Sequence, residues 1–324
     1  MGYFSAKIYP CMNTPLVSII TINYNCPSVT DAMLHSLSLL NYPNWEVIVV
    51  DNASPQYSSA YLKKLYPFIK HISSPINVGF AGGNNIGLQF AKGDYVLFLN
   101  NDTEVTEDLV TELVMHLQKN PACAIACPKI KYHSMPSVIQ YAGAMGLHPL
   151  TSRSYDIGRL QKDFGQYNDC RKTDLPNGAS MMLPMRLINK IGVMSELFFL
   201  YYEELDWAAQ FKLAGFEIHY VGTAEVFHKE SVSTGIGSPL KTFYLFRNRL
   251  LYIRRNYRGS RRLIAVIFFL MISTPLHIIQ HAVKKQWTHS KSIIQALRWN
   301  ILHHPYTEPS IHSSSIVNQL VHES

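Results

Sequence analysis

Glu203, Glu204 and Asp206 fall within four positions of one another, directly after Tyr201-Tyr202 and beside Trp207. A helix dipole favours carboxylates at its start, while aromatic neighbours desolvate them and like charges couple, so at least one carboxyl pKa is expected to rise toward neutrality. That suits a proton acceptor. Further up the chain, three polar segments stand where apolar runs stop: Val49-Val50-Asp51-Asn52-Ala53-Ser54, Asn77-Val78-Gly79-Phe80-Ala81-Gly82-Gly83-Asn84-Asn85 and Phe98-Leu99-Asn100-Asn101-Asp102. A parallel α/β sheet binds ligands beyond the carboxyl ends of its strands, so three such exits predict one shared pocket. Their residue types fit a nucleotide diphosphate and a metal.

A pyrimidine edge needs both an acceptor and a donor, which Asp51 and Asn52 supply, with Thr21 and Asn23 flanking the ring. The Asn77–Asn85 segment offers backbone N–H groups near a helix start to phosphate or sugar oxygens. Its spacing is neither the Gly-x-Gly-x-x-Gly of dinucleotide enzymes nor a Walker loop. In Asn100-Asn101-Asp102 only the last residue is acidic. Asp102 with two phosphate oxygens can hold Mg²⁺, and an added histidine ligand favours Mn²⁺.

The elements that must position these residues read as alternating strands and helices. Leu16 to Ile22 is a short β-branched strand, Ser28 to Leu40 a helix, and Glu46 to Val50 a second strand. Helices around Ser58–Leu65 and Asn85–Ala91, a strand at Tyr95–Leu99, a helix from Thr106 to Lys119 and a strand at Cys123–Cys127 continue the pattern. This order predicts a Rossmann-type, mainly parallel sheet flanked by helices. Residues 131–174 read as loops and short strands that shape an acceptor site. Order returns with a strand at Asn177–Leu183, helices at Met185–Ile191 and Glu203–Ala214, and short strands at Glu217–Val221 and Ala224–His228.

The chain has 324 residues, 47% of them hydrophobic, enough for a large core and too apolar for a disordered protein. The formal charge of +7 is uneven, because Lys and Arg thicken after Lys241. There, aromatic and aliphatic residues interleave with Arg247, Arg249, Arg254, Arg255, Arg258, Arg261 and Arg262. This pattern predicts a basic amphipathic helix facing an anionic membrane, followed by an apolar run, Leu263–Ile279, that forms an in-plane or re-entrant helix. No RNA-binding motif accompanies it, so a nucleic-acid partner is not expected. Five cysteines without a Cys-x-x-Cys pair point to a reduced compartment, and the first residues do not read as a secretory signal. The division expected is a catalytic domain at 1–239, with a nucleotide half at about 16–128 and an acceptor half at about 129–239. A helical membrane-associating or oligomerisation region at 240–305 and a loose tail at 306–324 complete it.

Taken in order, Val17-Ser18-Ile19-Ile20-Thr21-Ile22-Asn23-Tyr24-Asn25, Val50-Asp51-Asn52-Ala53-Ser54, Asn77-Val78-Gly79-Phe80-Ala81-Gly82-Gly83-Asn84, Asn100-Asn101-Asp102 and Tyr202-Glu203-Glu204-Leu205-Asp206 resemble the family 2 inverting glycosyltransferases of the GT-A fold. The resemblance runs from about Leu16 to Tyr257 and is nearest to the rhamnosyltransferase-like branch. It implies that Thr21, Asn23, Asn25, Asp51, Asn52, Ser54, Asn77, Gly79, Phe80, Gly82, Asn84, Asn100, Asn101 and Gly178 bind a nucleotide-diphosphate sugar, dTDP-rhamnose or a UDP-sugar. Asp102 is similar in place to the metal-holding aspartate and His228 to a second metal ligand, with Mn²⁺ or Mg²⁺ as the cofactor. The base falls on Glu204, where the family usually has Asp, with Asp206 and Glu203 as competitors. The acceptor implied is a cell-surface glycan or lipid-linked oligosaccharide, served by a cytoplasmic enzyme, peripheral on the inner face of the membrane and possibly homo-oligomeric. Two rival readings are a non-catalytic nucleotide-sugar-binding protein and a Rossmann oxidoreductase, the latter disfavoured by the absent dinucleotide fingerprint.

Overall fold

A computed structural model describes residues 14–55, 60–229, 237–307 and 313–322. The first half alternates as β1 (Val17–Asn23), α1 (Pro27–Leu37), β2 (Trp45–Asn52), α2 (Ala60–Leu65), β3 (Ile69–Ser74), α3 (Gly79–Leu88) and β4 (Tyr95–Leu99). β1 pairs in parallel with β2 and β4, and β2 with β3. Strands covered by helices on both faces need buried, mostly apolar residues along their length, which is why β1 and β2 are rich in Val and Ile.

The chain continues through β5 (Thr103–Val105), α4 (Leu109–Lys119), β6 (Cys123–Tyr132), β7 (Met135–Tyr141), β8 (Cys170–Lys172), β9 (Ser180–Pro184), α5 (Met185–Ile191), α6 (Glu203–Leu213) and β10 (Glu217–His228). The sheet order is β3-β2-β1-β4-β9-β6-β10-β5, with β7 on β6 and β8 on β10. The sheet is mixed: β9 runs antiparallel to both β4 and β6, separating the four-stranded parallel block from the parallel β6–β10 pair. β10 is one strand with an irregularity between Val221 and Glu225, where two short strands were expected.

The C-terminal helices depart furthest from expectation. They are α7 (Pro239–Asn256), α8 (Gly259–Phe268), a π turn at Phe269–Ser273, α9 (Thr274–Val283), α10 (Trp287–Leu302) and α11 (Ser313–His322). The expected basic membrane face of α7 is not formed: Arg247 and Arg249 are 6% and 5% exposed, stacked over Trp299 and Phe269 respectively. They pack inward because the guanidinium plane stacks on aromatic faces while its N–H groups reach carbonyls. The apolar run expected at Leu263–Ile279 lies on the continuous helix Gly259–Val283. It is the one described helix long and apolar enough to cross a membrane, and it exposes Leu263, Ile264, Ile267, Met271, Leu276 and Ile279. Its π turn falls just ahead of Pro275, which lacks the N–H that an unbroken α-helix would use. The tail is not loose throughout: α11 buries Ile316 and Val317 in the main core, and the Ser313 N–H donates to Glu196 at 3.0 Å.

Candidate active site

A cleft of about 380 Å³ opens beyond the carboxyl ends of β1, β2 and β4, where the three polar exits meet. Its walls include Asn52, Asn77, Gly79, Phe80, Asn84, Asn100, Asn101, Asp102 and His228. Antiparallel pairing of β5 with β10 sets Thr103 opposite His228, which brings the preceding Asp102 to the histidine. His228 Nε2 lies 3.1 Å from Asp102 Oδ1, and its Nδ1 lies 2.8 Å from Gln140 Oε1. With Gln140 accepting from Nδ1–H, a neutral ring turns its Nε2 lone pair toward a carboxylate oxygen. Two electron-rich atoms facing each other in a cleft form a donor pair for a cation. An oxygen and an imidazole nitrogen suit Mn²⁺.

Side-chain alternation along β1 corrects the sequence reading. Ile22 and Tyr24 line the cleft, whereas Thr21 is fully buried in the sheet and Asn23 faces α1, accepting from Thr30 Oγ1 at 2.9 Å. Asn23 also donates to Ser54 Oγ at 3.3 Å, and Ser54 Oγ accepts from the Asn25 N–H at 3.0 Å. Asp51 Oδ1 accepts from the Ser54 N–H at 2.9 Å. Asn101 joins this network by donating to Thr30 Oγ1 at 3.0 Å. Thr21, Asn23, Asn25, Asp51 and Ser54 therefore buttress the cleft without lining it, and Asn52 alone of the six β1 and β2 candidates reaches it.

Asn52 shapes the next turn. Its Nδ2 donates to Asn77 Oδ1 and to the Gly79 carbonyl, each at 3.0 Å, while its Oδ1 accepts from the Val78 N–H. Gly79 has φ +75°, and a Cβ there would sit 2.2 Å from the Phe199 carbonyl oxygen, so only glycine fits. Gly82 does not line the cleft and packs against Val78 instead.

The acidic segment separates into three environments. Glu204 packs beside Gly178 and Phe80: a Cβ on Gly178 would meet Glu204 Cγ at 3.7 Å and Phe80 Cζ at 3.9 Å. Phe80 is itself a wall of the cleft, and the Asn100 N–H donates to the Ala179 carbonyl at 2.9 Å, tying the Gly178 turn to the metal-side strand exit. Burial, reinforced by the charge of Asp156, pushes the Glu204 carboxyl up to about 7, while amides of the helix start pull it back down. Glu203 is 3% exposed, its Oε2 has no hydrogen-bond partner among the described residues, and burial beside Glu204 holds its pKa well above the carboxylate range. Asp206 is also buried, but Arg255 grips it through two nitrogens at 3.0 Å each and Asn256 Nδ2 donates to it at 2.7 Å. Asp206 is thus an anchor for α7, and Glu203 a buried acid. Glu204 is the member of the trio placed next to a cleft wall.

Residues 199–202 were not anticipated. Phe199, Leu200 and Tyr201 line the cleft, and Phe199, Tyr201 and Tyr202 all adopt positive φ, an uncommon conformation for bulky side chains. α7 holds them there. Arg247 donates to the Leu197 and Phe198 carbonyls, and Asn248 Nδ2 lies within 2.7–2.9 Å of the Phe198, Leu200 and Tyr201 carbonyl oxygens. The available signal was an aromatic run, Phe198-Phe199-Leu200-Tyr201-Tyr202, abutting the acidic residues. Lys241, also unanticipated, lines the cleft with its Nζ 5.7 Å from the Tyr201 ring centroid.

The Glycosyl transferase family 2 model matches residues 18–174, the span that contains β1 to β8 and the strand exits of the cleft. The chain is a glycosyltransferase, matched to family 2 over those residues. This transferase is similar to the low-salt glycan biosynthesis hexosyltransferase Agl10 of Haloferax volcanii, with 27% identity over 241 residues, 72% of this chain and 74% of that protein. Its fold is GT-A-like. It resembles GalNAc-T7 solved with UDP, GalNAc and Mn²⁺ (TM-score 0.57, 15% identity, 79% of this chain and 55% of that one). It also resembles Staphylococcus aureus TarS 1–349 solved with UDP-GlcNAc (TM-score 0.55, 17% identity, 86% of this chain and 81% of that one).

Proposed function

We propose that the transferase moves a sugar from a nucleotide-diphosphate donor to a cell-surface glycan or lipid-linked acceptor by single displacement, with inversion at the anomeric carbon. The observation that carries this reading is the position of Glu204 beside Phe80 and Gly178, next to the cleft that contains Asp102 and His228. Glu204, poised near neutrality, takes the acceptor hydroxyl proton as that oxygen attacks the anomeric carbon. Asp102 and His228 would hold the divalent cation, Mn²⁺ or Mg²⁺, and Lys241 adds positive charge to the cleft. When bound, the cation neutralises the leaving nucleotide diphosphate. Asn77, Asn84 and Asn100 supply amides to the donor's sugar and phosphates, and Tyr24 and Asn52 stand at the nucleotide end. Mn²⁺ bound by GalNAc-T7 and UDP-GlcNAc bound by TarS support the cofactor and donor classes.

Within those classes the motif resemblance favours dTDP-rhamnose, with a UDP-sugar as the alternative donor. The exposed apolar helix Gly259–Val283 supports a position on the inner face of the cytoplasmic membrane, next to a lipid-linked acceptor. The test is thermal-shift screening of nucleotide sugars with Mn²⁺ present, followed by turnover of the stabilising donor by wild type, Glu204→Gln and Asp102→Ala. Equal turnover by all three proteins refutes the assignment.

A further inference from the structure

At the opposite end of β10 from His228, a second group of side chains converges. His219 stands near the start of that strand, Cys123 opens the neighbouring β6, and His116 lies in the last turn of α4. Nine residues of strand separate His219 from His228, about 30 Å at ~3.3 Å per residue, so this group is remote from the cleft. The ligand-type atoms of His116, Cys123 and His219 all lie within 4.8 Å of one another. Their positions in sequence give no metal-binding spacing, which is why the cysteine count predicted none.

We propose that His116, Cys123 and His219 form a binding site for a zinc ion, with water as the fourth ligand. Two imidazole nitrogens and one thiolate are a donor set for zinc, and harder cations such as Mg²⁺ disfavour it. His116 Nε2 and His219 Nδ1 face each other at 2.8 Å. Behind them, His219 Nε2 lies 2.9 Å from Glu217 Oε2. A carboxylate accepting from Nε2–H fixes the tautomer whose Nδ1 carries a lone pair, and that lone pair is aimed into the cluster. This is the outer-shell arrangement that orients metal-bound histidines. Glu217 is in turn held by Lys172 Nζ at 2.6 Å.

The cluster is prepared rather than closed. Zinc bonds of ~2.0–2.1 Å to nitrogen in tetrahedral geometry separate two such nitrogens by roughly 3.3 Å. The rings must therefore part by about 0.5 Å from their present hydrogen bond, a small rotation for His116, which is only partly buried. Burial and the neighbouring His219 keep His116 a neutral ring, its pKa depressed to about 4; its Nε2 carries the proton of the hydrogen bond to His219 Nδ1, and binding the ion through Nε2 moves that proton to Nδ1. Burial pushes the Cys123 thiol up to about 12, so its proton leaves as the S–Zn bond forms, one proton per ion bound. The ion would join the C-terminal turn of α4 to the first residues of β6 and β10.

Chelator-stripped full-length protein titrated with Co²⁺ tests this directly. The expected result is one equivalent developing thiolate-to-metal charge-transfer absorption and tetrahedral visible bands, both displaced by Zn²⁺. Cys123→Ser abolishes the charge-transfer band, and Glu217→Gln lowers zinc affinity ten- to a hundredfold. Asp102→Ala leaves the band unchanged, which separates this site from the cleft. Absence of the band in the wild-type protein overturns the proposal, as does its persistence in Cys123→Ser. The wild-type titration decides the matter even if a variant fails to fold.

Discussion

Arg255 on α7 engages Asp206 on α6 with its Nε on one carboxylate oxygen and an Nη on the other, both at 3.0 Å, across 49 residues of sequence. Removing one member of a buried pair leaves the other charge desolvated and unmatched, at a cost of about 3–5 kcal/mol. Asp206→Asn is expected to lower the urea midpoint by that equivalent. The activity of whatever fraction remains folded, measured at low temperature, stays within about tenfold of wild type if Asp206 has no proton-transfer role.

Glu204→Gln separates chemistry from folding. General-base assistance contributes about 10²–10⁴-fold, so turnover falls by that factor while donor affinity, read by thermal shift, is unchanged.

The pH dependence has a defined sign. A base must be ionised to act, so wild-type kcat/KM rises as pH passes through about 7 and then levels, a limb missing from the residual activity of Glu204→Gln. Because the folded carboxyl binds its proton more tightly than the unfolded one (4.5), the folded state loses stability as pH climbs from there through about 7. The glutamine variant, which cannot ionise, gains thermal stability relative to wild type at pH 8 compared with pH 5.

Asp102→Ala and His228→Ala address the cation. Each is expected to abolish the stabilisation that Mn²⁺ adds to donor binding in a thermal-shift experiment and to remove the sensitivity of activity to chelators. Mn²⁺-dependent stabilisation that persists in both variants would place the ion elsewhere.

Asn248 is fully buried and its amide serves carbonyls of the segment between α5 and α6. Asn248→Ala strands those oxygens at about 1–3 kcal/mol for each one left unsatisfied. It also frees the strained backbone before Glu204, so kcat falls with stability, whereas a surface control on α7, Leu245→Ser, leaves stability within about 0.5 kcal/mol.

Ile267 and Met271 are 51% and 72% exposed on the apolar helix. Burial of such side chains in lipid is worth roughly 1.5–3 kcal/mol each, so Ile267→Ser with Met271→Ser is expected to cut flotation with anionic vesicles at least about tenfold. Unchanged flotation argues against membrane contact by this surface.

Much of the architecture was legible because strands buried on both faces must be apolar throughout, and their polar exits then stand out. The same property hid the detail. In Val17–Ile22 the polar Ser18 and Thr21 fall on opposite faces, so no alternation distinguished the buried Thr21 and Asn23, which accepts from α1, from Ile22 and Tyr24, which line the cleft. The acidic trio was visible as a group, but which member served which purpose depended on Arg255, Phe80 and Gly178, all distant in sequence. The arginines of α7 read as a surface stripe because composition does not distinguish a solvated guanidinium from one stacked on Trp299. In the short helix Ser313–His322 the core residues Ile316 and Val317 follow Ser313-Ser314-Ser315 and precede Asn318-Gln319, too short an apolar pair to stand out in sequence.

The grip of Arg247, Asn248 and Arg255 on backbone oxygens and Asp206 has a practical corollary for anyone building chimeras from this enzyme. A product cut at Pro239 keeps the cleft residues of β1 to β10 yet loses Leu240 and Lys241 and forfeits the props that hold Phe199, Tyr201 and Tyr202 at positive φ. Domain swaps that aim to change donor choice must therefore carry helix α7 with its native partner loop.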